Sequence, residues 1–288
     1  MSQPDWLSPS LYPFTSEHIE LEEGMLHYID EGSGEPIVCV HGTPTWSFLY
    51  RSVVSGLSDD FRVIVPDHLG FGLSEKPPNA SYRPEDHARR FAAFLDHLDL
   101  DRFTLVVHDF GGPIALPYAI QHPDEVEHLV LCNTWCWSLQ GDRTVRVADM
   151  LARSPIGRLF YRRFNGSSRV ILRAAWGSGE LADEVHRHYM APFSSASTRT
   201  APWVLARELL GSSEWYDSWW RRRESISSIP TLVLWGLEDP TFGTEVLDKW
   251  EGTLTDATIV TFPDVGHFVP DEAGDRVVEK VREFLYRE

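Results

Sequence analysis

The chain has 288 residues, of which 42% are hydrophobic, and it carries a formal net charge of −17 at neutral pH. This length and apolar content predict one large globular core, with room for an insertion. The strong negative charge argues against binding to nucleic acids or to anionic membrane surfaces. No apolar run approaches the roughly 20 residues that a membrane-spanning helix needs.

The N-terminal sequence has neither the basic nor the apolar stretch of a secretory signal, so the expected location is the cytoplasm. The three cysteines, Cys39, Cys132 and Cys136, lie in or beside apolar strand-like runs, which is typical of buried thiols in a reducing compartment. No further Cys or His follows Cys132 and Cys136 at ligand spacing, so we expect no metal site. The sequence is compatible with a monomer and leaves the oligomeric state open.

Strand-like and helix-like segments alternate along the first part of the chain, which is the pattern of a mostly parallel sheet covered by helices. Residues 1–16 are predicted to be an irregular lead-in, and a β-hairpin is expected around Glu23 and Gly24. Strands are then predicted at 36–41, 62–66, 103–107 and 126–132, with helices at 47–57, at 83–98 and from residue 110.

The character of the sequence changes after Asn133. Up to about Ser228 it shows no convincing strand and is rich in Arg, Trp and Ser. Two strands and a closing amphipathic helix follow. We therefore predict a helical cap at residues 134–228, inserted into a core formed by residues 1–133 and 229–288. The predicted helices of the cap lie near 144–153, 168–176, 181–189 and 201–210, and the later elements at 231–235, 257–262 and 277–286.

A sharp turn from strand to helix is predicted at residues 103–113, which read FTLVVHDFGGP. An apolar run of strand length leads directly into His108-Asp109-Phe110-Gly111-Gly112, after which a helical pattern begins. Small residues are needed at such a turn because the strand and helix backbones approach closely. This is the pattern of a nucleophile elbow, with Asp109 at the apex where the familiar motif has Ser.

A carboxylate at this apex decides the chemistry that we expect. Asp109 is already ionised and can attack directly to form a covalent ester. Its natural target is an sp³ carbon that bears a leaving group, such as a halide or an epoxide oxygen. The alternative is that Asp109 only caps the following helix. The complete strand, turn and helix around it favour the nucleophile.

Three further groups complete the predicted site. The sequence HGTPTW at 41–46 closes a buried strand and is typical of an oxyanion loop, so the backbone N–H groups of Thr43 and Phe110 are the expected oxyanion hole. Asp239 follows the predicted strand that ends at Trp235 and is expected to orient a histidine. His267 lies on a glycine-containing loop after the last strand and is the expected general base that activates water.

The residues that carry this pattern resemble the haloalkane dehalogenases of the α/β-hydrolase superfamily. The matching segments are HGTPTWSFLYR at 41–51, VVHDFGG at 106–112, Gly-x-x-Asp at 236–239, GHFVPDEAG at 266–274 and, within the cap, YMAPF at 189–193. The resemblance implies an α/β-hydrolase fold with an eight-stranded, mostly parallel sheet and a helical cap. It also implies SN2 attack on a small apolar halogenated substrate, giving alcohol, halide and a proton, without a cofactor.

Two departures from the family pattern fall where the halide should bind. The family usually has Trp directly after the nucleophile, and here the residue is Phe110. Some members carry a halide-binding Asn in the loop position of Thr43. A phenyl ring lacks the N–H donor of an indole. The candidate replacements are three tryptophans at the start of the cap or within it, and the competing interpretation is that they only pack its interior. They are Trp135, Trp137 and Trp176.

Three other functions compete with dehalogenation. Epoxide hydrolases share the Asp nucleophile and use cap tyrosines, for which Tyr161, Tyr189 and Tyr216 are available. However, Trp203-Val204 stands where such enzymes resemble Trp-Tyr, so one of the expected tyrosines is absent. A haloacetate dehalogenase needs arginines beside the elbow to bind a carboxylate, and none is present there. A non-catalytic ligand receptor needs no water-activating base, so the presence of His267 argues against it.

Overall fold

The computed structural model describes residues 4–286, so the first three residues of the predicted lead-in lie outside it. Eight strands form one sheet with the order β1-β2-β4-β3-β5-β6-β7-β8. The strands are β1 (Glu17–Leu21), β2 (Gly24–Glu31), β3 (Pro36–Val40), β4 (Arg62–Pro66), β5 (Phe103–Asp109), β6 (Val126–Thr134), β7 (Thr231–Gly236) and β8 (Thr258–Phe262).

Only the pairs formed by β2 are antiparallel. The β1–β2 hairpin turns with Leu21 opposite Gly24, and β2 also runs antiparallel to β4. The other pairs are parallel. Strands β5 and β7 are buried along their whole length, because helices cover both faces of the sheet, and they therefore appear as continuous apolar runs. The predicted eight-stranded, mostly parallel sheet is confirmed.

Twelve helices are present in the described part of the chain, together with short 3₁₀ and π turns. They are α1 (Arg51–Leu57), α2 (Pro84–Leu98), α3 (Gly111–Gln121), α4 (Arg143–Arg153), α5 (Pro155–Phe164), α6 (Leu172–Ala174), α7 (Asp183–Met190), α8 (Thr200–Gly211), α9 (Ser213–Trp220), α10 (Thr244–Glu251), α11 (Val269–Glu272) and α12 (Gly274–Leu285). Among them, none is long and apolar enough to cross a bilayer.

Helices α1 and α12 pack together on one face of the sheet, and α2 and α3 pack together on the other. Alternate side chains of β5 enter the two hydrophobic clusters. Leu105 and Val107 join the cluster that contains Phe94 of α2, and Val106 joins the cluster that contains Val53 of α1. The three cysteines are buried free thiols, as the sequence predicts.

Helices α4 to α9 lie between β6 and β7, and we call residues 135–228 the helical insertion. The sequence analysis misses four of the helices in the described part of the chain, α5, α9, α10 and the short α11. A start signal for α5 is present, because Ser154 accepts a hydrogen bond from the Gly157 N–H at 3.0 Å and Pro155 occupies the first turn. Helix α9 is rich in Trp, Ser and Tyr, whose helix propensities are weak, so packing decides its structure.

The turn from β5 into α3 is packed against the neighbouring strand ends. A Cβ atom on Gly111 would lie 2.1 Å from the backbone oxygen of Val40, and one on Gly112 would lie 2.0 Å from Thr134 Oγ1. Both separations are far below van der Waals contact. The glycines therefore allow the elbow to pack between the ends of β3 and β6.

We predict that Gly111→Ala destabilises the protein by about 1–3 kcal/mol, because the new methyl group overpacks against rigid backbone. Urea unfolding followed by circular dichroism measures the change. Gly141→Ala is the matched control, since a Cβ there meets nothing within 4 Å. Equal stability of the two variants would contradict the packing argument.

Candidate active site

Asp109 is held at the apex of the elbow by backbone conformation and by hydrogen bonds. Its φ of 52° lies in the left-handed region, which is uncommon for a residue other than glycine. Thr134 Oγ1 donates to the Asp109 carbonyl oxygen at 2.6 Å. The Thr43 N–H donates to Asp109 Oδ1 at 2.7 Å. The structure thus presents the carboxylate at the carboxyl end of the central strand, with one oxygen fixed by the loop after β3.

His267 lies beside this carboxylate on the loop between β8 and α11. Its Nε2 atom is 3.4 Å from Asp109 Oδ2. Two hydrogen bonds fix its backbone: its N–H donates to the carbonyl of Ala175 in the insertion, and its carbonyl accepts from His108 Nε2, both at 2.8 Å. Burial and the charge of His267 lower the pKa of His108 to about 3, so His108 is a neutral hydrogen-bond donor.

Asp239 completes the chain of titratable groups. Its Oδ2 atom accepts from His267 Nδ1 at 2.7 Å and from Asn133 Nδ2 at 2.8 Å, while Oδ1 accepts from the Thr241 N–H at 2.7 Å. Burial alone raises the pKa of this carboxyl, but the charge of His267 and these three hydrogen bonds outweigh it and lower the pKa. Asp239 is therefore an anion that fixes the orientation of the imidazole.

The imidazole of His267 is flanked by two carboxylates in a buried setting. Burial lowers its pKa, but attraction by Asp239 and Asp109 outweighs that effect and raises the pKa to about 10. His267 is consequently an imidazolium at neutral pH as long as both carboxylates are charged.

A cavity of about 150 Å³ opens onto Asp109 and His267. Most of its lining is apolar, and the insertion supplies Ala148, Tyr161 and Ile171 among others. Its polar side chains include Thr43, Tyr161, Ser167 and Thr241. An ionised carboxylate beside an imidazolium, in a small apolar cavity, can carry out nucleophilic displacement followed by hydrolysis. Among residues 4–286, no group of three or more His, Cys, Asp or Glu side chains could hold a metal ion.

Comparison with known proteins gives consistent matches over nearly the whole chain. Residues 35–273 match the model of the alpha/beta hydrolase fold family. A "Haloalkane dehalogenase 2" of Mycobacterium tuberculosis is 34% identical over 277 residues, which cover 96% of both chains. The chain belongs to the haloalkane dehalogenase family of the α/β hydrolases. The predicted resemblance, and with it the prediction of an enzyme from a group that acts on carbon–halide bonds, is confirmed.

Two further comparisons concern the fold of this member of the dehalogenase family and the names of its relatives. A haloalkane dehalogenase structure from Agrobacterium tumefaciens C58 has a TM-score of 0.87 at 24% identity, covering 98% of this chain and 99% of that chain, which shows a shared fold. A cis-3-alkyl-4-alkyloxetan-2-one decarboxylase of Shewanella oneidensis is 34% identical, over 96% of this chain and 90% of its own length. Relatives with two different activities are therefore equally similar to this chain.

The three tryptophans that we considered as halide donors for this dehalogenase-family member occupy different places. None of them is among the residues that line the cavity at Asp109. Trp135 packs edge-on against Phe110, with ring centroids 4.8 Å apart, and its buried Nε1–H has no partner among residues 4–286. Trp137 packs on Trp220 and Trp250.

Trp176 lines a separate, charged cavity beside Arg51 and Asp271.

The two backbone donors predicted for the oxyanion hole differ. The Thr43 N–H donates to the Asp109 carboxylate, and the described residues include no such hydrogen bond from the Phe110 N–H. Phe110 itself lines the cavity.

Sequence reasoning missed two residues that support the site. Asn133 has a left-handed backbone with φ of 30°, and its side chain bridges the Gly236 backbone and Asp239. Glu272 accepts hydrogen bonds from the N–H groups of Gly177, Gly266 and Phe268, which flank His267 or belong to the insertion. The position of Asn133 directly after the apolar run of β6 is a signal that could have identified it. Glu272 offers no comparable signal.

We predict that Asp109→Asn lowers the pKa of His267 from about 10, because one of the two anions that stabilise the imidazolium is removed. In the unmodified protein the His267 charge persists through neutral pH and is lost only as the pH approaches 10. Nitrogen-15 NMR of the imidazole rings measures both titrations. His108 is the internal control, since it stays neutral across this range. An unchanged His267 titration in the variant would contradict the assigned coupling.

Proposed function

We propose that this protein hydrolyses the carbon–halogen bond of small apolar haloalkanes through a covalent ester of Asp109. The observation that carries the proposal is that Asp109 and His267 line a small apolar cavity, with His267 Nε2 3.4 Å from Asp109 Oδ2 and His267 Nδ1 2.7 Å from the carboxylate of Asp239. Membership of the dehalogenase family supports the choice of leaving group.

In the first step, Asp109 Oδ2 attacks the carbon that bears the halogen. Oδ1 is held by the Thr43 N–H at 2.7 Å, whereas Oδ2 has only the longer contact of 3.4 Å with His267 Nε2, so Oδ2 is the freer nucleophile. A carbon–oxygen bond forms as the carbon–halogen bond breaks, and the halide leaves with the bonding electron pair. The product is a neutral alkyl ester on Asp109.

Ester formation changes the state of the base. Neutralising Asp109 removes one of the two carboxylates that raise the pKa of His267, so its Nε2 proton is released more readily. The free imidazole then takes a proton from water, and the oxygen of that water adds to the carboxyl carbon of the ester. The Thr43 N–H, with the Phe110 N–H as the proposed second donor, stabilises the oxyanion on Oδ1.

Collapse of this intermediate breaks the bond between the acyl carbon and the alkoxy oxygen. The leaving alkoxide takes the proton that remains on the oxygen added from water and departs as the alcohol, and Asp109 is regenerated as a carboxylate. Asp239 keeps the imidazolium of His267 oriented and stabilised during this step. The net products are alcohol, halide and a proton.

We propose that hydroxyl groups replace the indoles of the family in stabilising the leaving halide. Thr43 Oγ1 is buried, has no hydrogen-bond partner among residues 4–286, and belongs to a side chain that lines the cavity. Tyr161 also lines the cavity, and burial raises its pKa to about 12, so it keeps its proton as a donor. Both hydroxyl groups keep their proton at neutral pH and can donate it in a hydrogen bond to the halide anion.

We propose, as in the sequence analysis, that residues 134–228 act as a cap over the core. Strand β6 extends through Thr134, so the helices themselves begin after that residue. The insertion supplies a large part of the cavity lining, including Ala148, Tyr161, Ser167 and Ile171. The proposed cap therefore excludes bulk water from the Asp109 ester and sets the size of the substrate.

A second candidate is decarboxylation of a β-lactone. It is favoured by the 34% identical decarboxylase relative and by the lack of an indole in the cavity lining. Attack of Asp109 on the ring carbon that bears the alkoxy oxygen would open the lactone and free its carboxylate. Loss of CO2 would then supply the electron pair of an alkene and expel Asp109, so this route consumes no water.

A single panel of substrates tests the proposal. We expect halide release from bromoalkanes, and neither diol from epoxides nor CO2 from a cis-dialkyl β-lactone. Ion chromatography, gas chromatography and CO2 trapping measure the three products. Asp109→Asn is expected to lose all turnover, since the nucleophile is absent. Release of CO2 without halide would replace the proposal by the decarboxylase.

Mass spectrometry of His267→Gln with a bromoalkane provides the mechanistic part of the test. This variant is expected to accumulate the alkyl ester on Asp109, because attack still proceeds and water is no longer activated. Asp109→Asn treated in the same way is the control and should gain no mass. If the His267 variant remained unmodified with every bromoalkane, the covalent mechanism would be wrong.

We predict that Thr43→Val lowers kcat/KM for bromoalkanes by about tenfold to a hundredfold, the effect of one hydrogen bond to a charged group. The substitution removes the hydroxyl and keeps both the shape of the side chain and the backbone N–H. Thr43→Ser is the matched control, because it retains a hydroxyl, and it should keep most of the activity. Equal losses in both variants would exclude the hydroxyl as a halide donor.

A further inference from the structure

The outer surface of the insertion exposes an unusual amount of apolar side chain. Of the eleven exposed large apolar side chains among residues 4–286, eight lie between Val147 and Ile171. Ile156 alone is 78% exposed. Clusters of this kind on a soluble domain mark interaction surfaces. We define the apolar face as the exposed side chains of Val147, Met150, Leu151, Ile156, Leu159 and Phe164.

The charge around the apolar face is opposite to that of the whole chain. Residues 143–171 contain seven arginines and one acidic residue, Asp149, which pairs with Arg153 at 2.8 Å. Arg143 and Arg146 precede Val147 and Met150 by four residues each and so share their side of α4. On α5, Arg163 follows Leu159 by four residues and so shares its side of the helix. Exposed arginines thus border apolar side chains on both helices.

The apolar face is also connected to the proposed catalytic cavity. A second cavity, of about 310 Å³, is lined by α4, α5 and the turn that contains Ile171, and its walls include Leu151 and Ile156 of the apolar face. Three residues, Ala148, Tyr161 and Ile171, line both this cavity and the one at Asp109. An apolar route therefore leads from the apolar face towards the nucleophile.

We propose that the apolar face docks on the surface of an anionic phospholipid bilayer. Apolar side chains bordered by arginines match the interface of such a membrane, where the chains enter the lipid and guanidinium groups meet phosphates. The site then takes up its apolar substrate from the lipid rather than from water, and this last point rests on the proposed function.

The net charge of −17 does not oppose this docking. The insertion carries 14 arginines and nine acidic residues, so the excess of negative charge belongs to the core. Charges farther than about 8 Å from the membrane are screened at physiological ionic strength. The expectation that the protein has no anionic membrane partner is based on the net charge of the whole chain, which combines the positively charged insertion with the negatively charged core.

A second copy of the chain is the main competing occupant, and the charges argue against it. In a two-fold symmetric dimer on this face, the arginines of one copy would meet the arginines of the other. No acidic side chain besides Asp149 is available within residues 143–171 to compensate. A bilayer that contains anionic lipid offers the complementary charge over the whole face.

Vesicle flotation of the full chain tests the proposal. We expect the protein to float with vesicles of phosphatidylcholine and 30% phosphatidylglycerol, and to bind vesicles of phosphatidylcholine alone at least about fivefold less. Ile156→Ser combined with Leu159→Ser should reduce binding at least about tenfold, through the lost apolar contact. Arg146→Gln combined with Arg163→Gln should reduce it about fivefold for each arginine removed.

Two substitutions on the core are the matched controls, Tyr286→Ser for an exposed aromatic ring and Arg102→Gln for an exposed arginine. Both should bind vesicles like the unmodified protein. Circular dichroism confirms the fold of each variant, and the arginine pair tests the idea even if the apolar pair fails to fold.

Three outcomes would overturn the proposal: no binding to anionic vesicles, binding that the arginine pair leaves unchanged, or a dimer in size-exclusion chromatography that the apolar pair dissociates. Flotation requires no turnover, so these results stand apart from the substrate panel that tests the proposed function.

Discussion

The site depends on one electrostatic arrangement, an imidazole held between two buried carboxylates. Attraction by Asp239 and Asp109 outweighs the cost of burial and keeps His267 charged. Each carboxylate in turn has its own backbone donor, Thr241 for Asp239 and Thr43 for Asp109. The three charges compensate one another, and removing one changes the protonation of the others. Asp109 and His267, the proposed nucleophile and base, are therefore electrostatically coupled, and the protonation of His267 depends on the charge of Asp109.

The fold supplies this unit by bringing strand ends together. Asp109 ends β5, Asp239 and His267 follow β7 and β8, and the loop that contains Thr43 follows β3, so four parallel strands bring these residues to one edge of the sheet. Glycines at the elbow permit the close approach that the strand ends require. A buried asparagine at the end of β6, Asn133, hydrogen-bonds to both Gly236 and Asp239 on the neighbouring β7 side of the sheet.

The sequence predicted the sheet and the residues at its carboxyl edge well, because strand ends followed by Gly, Asp or His are local patterns. It did not predict where the tryptophans lie. Trp135, Trp137 and Trp176 are chemically identical side chains, and only the packing of the insertion decides which surroundings each of them has. The exposed apolar surface was also missed, because α5 itself was not predicted and because the net charge of the whole chain masks its arginine-rich segment. Supporting groups such as Glu272 act through distant backbone and leave no local pattern.

The hydrogen bonds of residues 175–177 have a consequence for access to the interior. The Ala175 carbonyl accepts a hydrogen bond from the His267 N–H. The N–H groups of Gly177 and Gly266 both donate to the carboxylate of Glu272. Moving this part of the insertion outward would break these hydrogen bonds and release the loop that carries His267. A conformation open at that edge would therefore lose the contact between His267 and Asp109. The hydrogen bonds of residues 175–177 therefore couple the position of this edge of the insertion to the position of the His267 backbone.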